Sequence, residues 1–240
     1  MKKAAFFDID GTLIKGQIVM EFPLHLMKRN FFSKRAYLKI LAIITAYGSG
    51  IMTYRQAGIK ILEIYSYALK NRSEKEIIEC SKEFAKEHIK KSYSYSSPLL
   101  NYLKKNYILV AVSASPIDPI NALTDYFPFD KVFATEREIK NNLCTGKIKL
   151  DMLQKNAKKN TLLDFSKKNN IDLTKSFAFG DSSTDAEFLY TVGHPISLNP
   201  NRKLRKIALK NNWTMLTERD DVVGIIKQMI LTNGNKSSLD

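Results

Sequence analysis

The chain has 240 residues, 44% apolar and 26% charged, with a formal net charge of +14. That length holds one large domain or a core with an inserted module, and the composition excludes a disordered or disulfide-stapled chain. The basic residues are spread along the whole sequence, so a solvated lysine-rich surface is expected and no nucleic-acid partner.

Two lysines and a few apolar residues open the chain, which is not the pattern of a signal peptide. The run AAFF, residues 4–7, then meets Asp8, Ile9, Asp10, Gly11 and Thr12. An apolar run closed by a glycine turn reads as a buried strand, in which residues two apart share a face. Asp8 and Asp10 are therefore expected together at the strand's open end. Two like charges there invite a hard cation such as Mg2+.

Residues 17–91 read as helical. LHLMKRNFFSKRAYLKILAIITAY (24–47) and MTYRQAGIKILEIYSYAL (52–69) repeat apolar residues every three or four positions. Ser73 and Glu76 have capping-box spacing and open a further helix to Lys91. The stretch 40–54 is the most membrane-like, but a span needs ~20 apolar residues and this one carries Gly48, Ser49 and Gly50. A buried helix followed by a turn is expected, and no membrane span. The predicted organisation is an all-helical cap, 17–91, inserted into a core made of 1–16 and 92–240.

From residue 92 helices and strands alternate. A helix at 98–106 leads into YILVAVSASP (107–116), a strand ending at Ser113, Ala114 and Ser115. Pro116 suits the first turn of the helix that follows. KVFAT (131–135) is a strand, and 135–150 read as a β-hairpin with Asn141-Asn142 and Thr145-Gly146 turns. A helix over 154–170 precedes a strand at 177–179, closed by Gly180-Asp181 before a helix from Thr184. Strands at 194–200 and 213–216, helices at 202–212 and 220–231, and a frayed end at 233–240 complete the reading. This alternation predicts an α/β fold: a doubly wound, Rossmann-like parallel sheet with helices on both faces and ligands beyond the strands' carboxyl ends. Asp8, Asp10, Ser113, Ser115 and Asp181 all fall at such ends. His25, His88 and His194 are scattered and read as structural or surface residues. Cys80 and Cys144 have no metal-site spacing and fit a reducing cytoplasm.

DIDGT, SAS after an apolar strand, a helical lysine and GDSSTD together resemble the haloacid dehalogenase-like phosphatases. The order is similar to the branch with a small helical cap (subfamily IB), which includes phosphoserine phosphatases, over residues 1–16 and about 92–220. The resemblance implies a Mg2+-dependent phosphomonoesterase that acts on a small phosphorylated metabolite through an aspartyl-phosphate. It makes Asp8 the nucleophile and Asp10 the general acid and base, with the Asp10 backbone carbonyl on the metal. Ser113, the Ala114 backbone N–H and Lys158 would bind the phosphoryl group, with Lys155 and Lys159 as alternatives to Lys158. Asp181 would ligate the metal and Asp185 would hold its surroundings in place. Thr184 stands where phosphoserine phosphatases usually have Asn, and Gln17 where they carry a Glu for the serine amino group. Gln17, Glu21 one turn on, and Arg55 are the candidate substrate contacts. Transfer of the phosphoryl group to another alcohol, a phospho-accepting receiver and a basic binding module are the alternatives.

Overall fold

The structure, a computed structural model, describes residues 1–236. In chain order the elements are β1 (Ala4–Phe7), α1 (Ile18–Lys28), α2 (Lys34–Gly48), α3 (Tyr54–Ala68), α4 (Glu74–His88), α5 (Ser96–Leu103), β2 (Ile108–Pro116), α6 (Ile117–Ala122), β3 (Lys131–Lys140), β4 (Leu143–Leu150), α7 (Ala157–Lys168), β5 (Phe177–Gly180), α8 (Ala186–Leu189), β6 (His194–Leu198), α9 (Arg202–Lys210), β7 (Thr214–Leu216) and α10 (Val222–Lys236).

Side chains alternate across β1: Ala5 and Phe7 join one hydrophobic cluster, Ala4 and Phe6 the other. β2 repeats the pattern, with Leu109 and Ala111 on the first side and Val110 and Val112 on the second. A strand buried on both faces has no polar side, which is why these segments read as unbroken apolar runs. The described strands form one sheet in the order β4-β3-β2-β1-β5-β6-β7, parallel except for the antiparallel β3–β4 edge hairpin. Phe7 is level with Ala111 on one side and Phe179 on the other, and the two phenylalanine rings stack at 4.4 Å. That register brings the carboxyl ends of β1, β2 and β5 together. The first cluster continues from Phe7 and Ile9 into the inserted helices through Ile18, Phe22, Tyr65 and Phe84.

Several local expectations are corrected. Residues 24–47 are two helices, because the chain turns at Asn30 (φ 61°) and restarts where the Ser33 hydroxyl accepts from Ala36 N–H. α2 is not a buried helix: Ile40 is its one buried residue and Leu38 is 63% exposed, since only one side of the helix packs. Asn141-Asn142 does turn the hairpin, both with positive φ, but Thr145-Gly146 lies inside β4, where the register with β3 slips. α8 begins at Ala186 rather than Thr184. Of the end expected to fray, 233–236 continue α10 and 237–240 lie outside the described residues. No described helix is long and apolar enough to cross a membrane.

His88, at the end of α4, is 3% exposed, and its Nδ1 lies 3.6 Å from Glu21 Oε2. The contact is not an ion pair at neutral pH, because burial holds the imidazole down at about 4 despite the Glu21 carboxylate. A histidine depressed below its ordinary value binds its proton more readily in the unfolded chain, so stability is lost as pH falls from 6.5 towards 4. Thermal melts across that range are expected to show Tm falling, with a shallower fall in His88→Gln. Equal slopes would remove His88 from the acid response.

Candidate active site

The segment after β1 folds back on itself through one carbonyl. Ile9 O accepts from the backbone N–H of Thr12, Leu13 and Ile14, and Gly11 at φ +79° makes the reversal. A side chain at Gly11 would overlap the Asp181 carboxylate, so this position needs both the left-handed backbone and the missing Cβ. The turn is anchored from outside by Tyr95, whose hydroxyl donates to Thr12 O at 2.6 Å and accepts from Asn199 Nδ2 at 2.9 Å.

Asp8 and Asp10 are both buried, yet they serve different partners. Lys158 Nζ donates to Asp8 Oδ1 at 2.6 Å and to Asp185 Oδ1 at 2.7 Å. Asp10 Oδ1 accepts the Ile18 N–H at 2.6 Å and its Oδ2 accepts the Ser115 hydroxyl at 2.7 Å. The first turn of α1 is thus tied directly to Asp10. Asp185, at the N-terminus of α8, also accepts from Ser182 N–H at 3.0 Å and the Ser182 hydroxyl at 2.9 Å.

Charge is crowded here. Burial, then the Asp185 carboxylate, push the Asp8 carboxyl up to about 8 against the pull of Lys158. Burial also raises Asp10, to about 6, restrained by the Ile18 N–H and the Ser115 hydroxyl. Asp181 is raised by burial and by Asp185 and Asp8. Burial alone would depress the Lys158 ammonium, but Asp185 and Asp8 outweigh it and hold the lysine charged. One oxygen each of Asp8, Asp181 and Asp185 lie within 4.8 Å of one another. Carboxylate oxygens alone, in excess over the one lysine, are the donor set of a hard divalent cation, so the residues present fit Mg2+.

These groups line a cavity of about 170 Å³ roofed by Gln17, Tyr47 and Tyr54. A larger cavity of about 500 Å³, between α4, α6 and the hairpin, surrounds the Asp118–Arg137 pair and shares no residue with it.

Of the residues singled out from the sequence, Asp8, Asp10, Lys158, Asp181, Asp185 and Gln17 meet at the small cavity. Lys158 is buried against Asp8 and Asp185, Lys159 is half-buried and Lys155 exposed. The Asp10 carboxylate is not in the group of metal-suited oxygens. Ser113 and Ala114 do not line the cavity; Ser113 is fully buried, its Oγ accepting the Ser115 N–H at 3.0 Å. Two substrate candidates are corrected. Glu21 turns back to Gln17 N–H and to Lys91 Nζ, because a carboxylate one turn into a helix is held by the free N–H groups at its start. Arg55 pairs with Glu187 at 3.1 Å, and Glu187 also accepts Asn156 N–H at 2.7 Å, which joins α3 to the core away from the cavity.

Tyr47, Tyr54 and Asn201 escaped the sequence reading. The tyrosines sit at helical positions where an aromatic normally packs, and nothing in their spacing distinguishes a roof from a core. Ser115 was in view as a strand-end hydroxyl, but its link to Asp10 spans 105 residues.

Comparisons with known proteins bear on the family and the fold. The family model described as haloacid dehalogenase-like hydrolase matches residues 5–189. The chain is 25% identical over 225 residues to a Streptomyces azureus protein named for inhibition of morphological differentiation, covering 90% of this chain and 78% of that one. It is 22% identical over 219 residues to the phosphoserine phosphatase SerB1 of Mycobacterium tuberculosis, covering 88% and 69%. Among solved structures, a Bordetella pertussis protein of unknown function superposes with a TM-score of 0.76 at 21% identity, over 91% of this chain and 99% of that one. A substrate-bound phosphoserine phosphatase gives 0.66 at 21% identity, over 95% and 98%. At these identities the superpositions speak for the fold.

Proposed function

The chain belongs to the haloacid dehalogenase-like hydrolases, and from that premise we propose that it is a Mg2+-dependent phosphatase of a small organic phosphate. The observation that carries the reading is Lys158, bridging Asp8 and Asp185 from a helix that lies 150 residues from Asp8 in sequence. A buried cation holding one carboxylate in place between β1 and β5 is what an aspartate nucleophile requires. Bound among Asp8, Asp181 and the Asp10 backbone carbonyl, Mg2+ would supply positive charge to the phosphoryl oxygens and ease the approach of a second anion.

In this reading Asp8 Oδ attacks phosphorus, the bond to the leaving oxygen breaks, and an aspartyl-phosphate forms. Asp10 gives its proton to the departing alkoxide and then takes one from the water that attacks the phosphorus and frees Asp8. Neutral donors, the Ile18 N–H and the Ser115 hydroxyl, hold the two Asp10 oxygens, which suits a group that must release and regain a proton. Lys158 and the Ala114 N–H would neutralise the phosphoryl oxygens. The inserted helices would act as a cap unit, 17–91, that excludes water from the acyl phosphate. The free, buried Cys80 and Cys144 are in keeping with a cytoplasmic setting.

Phosphate release from an aryl phosphate tests the class: release that requires Mg2+ and stops on chelation supports it, and no release with any divalent metal overturns it. Asp10→Asn is expected to lower turnover of an alkyl phosphate by about 10²–10⁴, roughly 3–5.5 kcal/mol. A loss under about fivefold would take Asp10 out of the acid–base role.

A further inference from the structure

Gln17, Tyr47 and Tyr54 are what the inserted helices present to the small cavity, and none of them is charged at neutral pH. The two charged side chains closest to them in sequence are held elsewhere, Glu21 by Gln17 N–H and Lys91, Arg55 by Glu187. The floor, by contrast, is four carboxylates and one lysine. A leaving group bearing a carboxylate would meet that floor with no cation above it. One bearing an ammonium would find no anion in the roof.

Gln17 adds a positive requirement. Its Oε1 is buried with no hydrogen-bond partner among the described residues. A buried polar atom left unpaired is costly, so the cavity is built for a ligand group that completes it. An amide carries both a donor and an acceptor, and an uncharged hydroxyl is the group that can answer either. The tyrosine rings stand edge to face at 6.1 Å and offer apolar surface to the C–H bonds of a short chain or ring. The volume, about 170 Å³, also has to hold the phosphoryl group, and it is well under the ~300–1,000 Å³ typical of sites for drug-sized ligands.

Resting on the phosphatase reading above, we infer that this site takes the phosphate ester of a small uncharged polyol, with Gln17 hydrogen-bonded to a second hydroxyl of the leaving group beneath Tyr47 and Tyr54. Phosphoserine and phosphoethanolamine are thereby disfavoured, although each would fit by size. Atoms balance as in simple hydrolysis: the ester and water give the free polyol and inorganic phosphate.

The experiment compares kcat/KM for glycerol phosphate, O-phosphoserine and phosphoethanolamine in the wild-type protein, with an aryl phosphate as the reference for the chemistry. Glycerol phosphate is expected to exceed both amino compounds by about 10²-fold or more, because a site built around a hydroxyl strongly rejects ligands that leave its polar group unpaired. Gln17→Ala is expected to lower the ratio of glycerol phosphate to aryl phosphate turnover by about 10-fold, and Gln17→Glu to move preference towards phosphoethanolamine. In Asp8→Asn protein, glycerol phosphate should raise Tm where O-phosphoserine does not, a readout independent of turnover. Equal turnover of glycerol phosphate and O-phosphoserine, or an unchanged ratio in Gln17→Ala, would overturn the polyol inference while leaving the phosphatase reading intact. Absence of Mg2+-dependent release from the aryl phosphate would overturn the phosphatase reading itself, and the inference with it.

Discussion

Asp8→Asn is expected to abolish turnover, with a loss of about 10⁴-fold or more, while the protein stays folded. The amide has the shape of the carboxylate but no lone pair basic enough to displace an alkoxide from phosphorus. Its effect on stability separates loss of chemistry from loss of fold. Asp8 lies in a cluster with buried Asp10 and Asp185 and half-buried Asp181, and its carboxyl is already pushed upward by burial and by Asp185. A neutral side chain there relieves repulsion, and Lys158 keeps Asp185 at 2.7 Å. In metal-free buffer Tm should therefore hold or rise. A fall of more than about 5 °C would assign Asp8 chiefly to the ion pair with Lys158, as a structural anion. Near-wild-type activity would remove it as the nucleophile. Mg2+ should stabilise the variant less than the wild type, since one of the three convergent carboxylate oxygens is gone.

Local chemistry was legible where the chain itself imposes it. The apolar runs at 4–7, 107–116 and 177–179 announce strands buried on both sides, and the polar residues that end them lie at one edge of a parallel sheet by topology alone. Asp8, Asp10, Asp181 and Asp185 follow from that rule together with the family resemblance. What the rule could not supply is partnership across the chain. Face sharing puts Asp8 and Asp10 together, yet the strand stops at Phe7, and the turn around Ile9 O sends one acid to Lys158 and the other to Ile18 and Ser115. Three lysines within five residues are alike in sequence; only the packing of α7 buries Lys158. Arg55 and Glu21 had suitable charge and position in the inserted helices, but each found a closer partner, Glu187 and Lys91, that no spacing rule reveals. The roof tyrosines were hidden for the opposite reason, since their periodicity is that of ordinary helix packing.

Lys158→Met carries the largest expected loss of stability. The ammonium is 6% exposed at its side chain and stands between two carboxylates at 2.6 and 2.7 Å. Removing one partner from a buried ion pair costs about 3–5 kcal/mol, because the remaining charges keep their desolvation and lose their compensation. For a chain of this size that corresponds to a fall in Tm of roughly 6–20 °C without metal. Methionine approximates the length of the lysine stem, so lost packing contributes little and the charge is the main change. If the convergent oxygens of Asp8, Asp181 and Asp185 also hold a divalent cation, saturating Mg2+ should narrow the gap in Tm between variant and wild type, because the ion supplies part of the missing positive charge. Turnover should stay low even then, since Asp8 has lost the hydrogen bond that orients it. A Tm within about 2 °C of wild type in metal-free buffer would show that the acids simply take up protons, and that Lys158 contributes little to holding β1 and β5 together at their open ends.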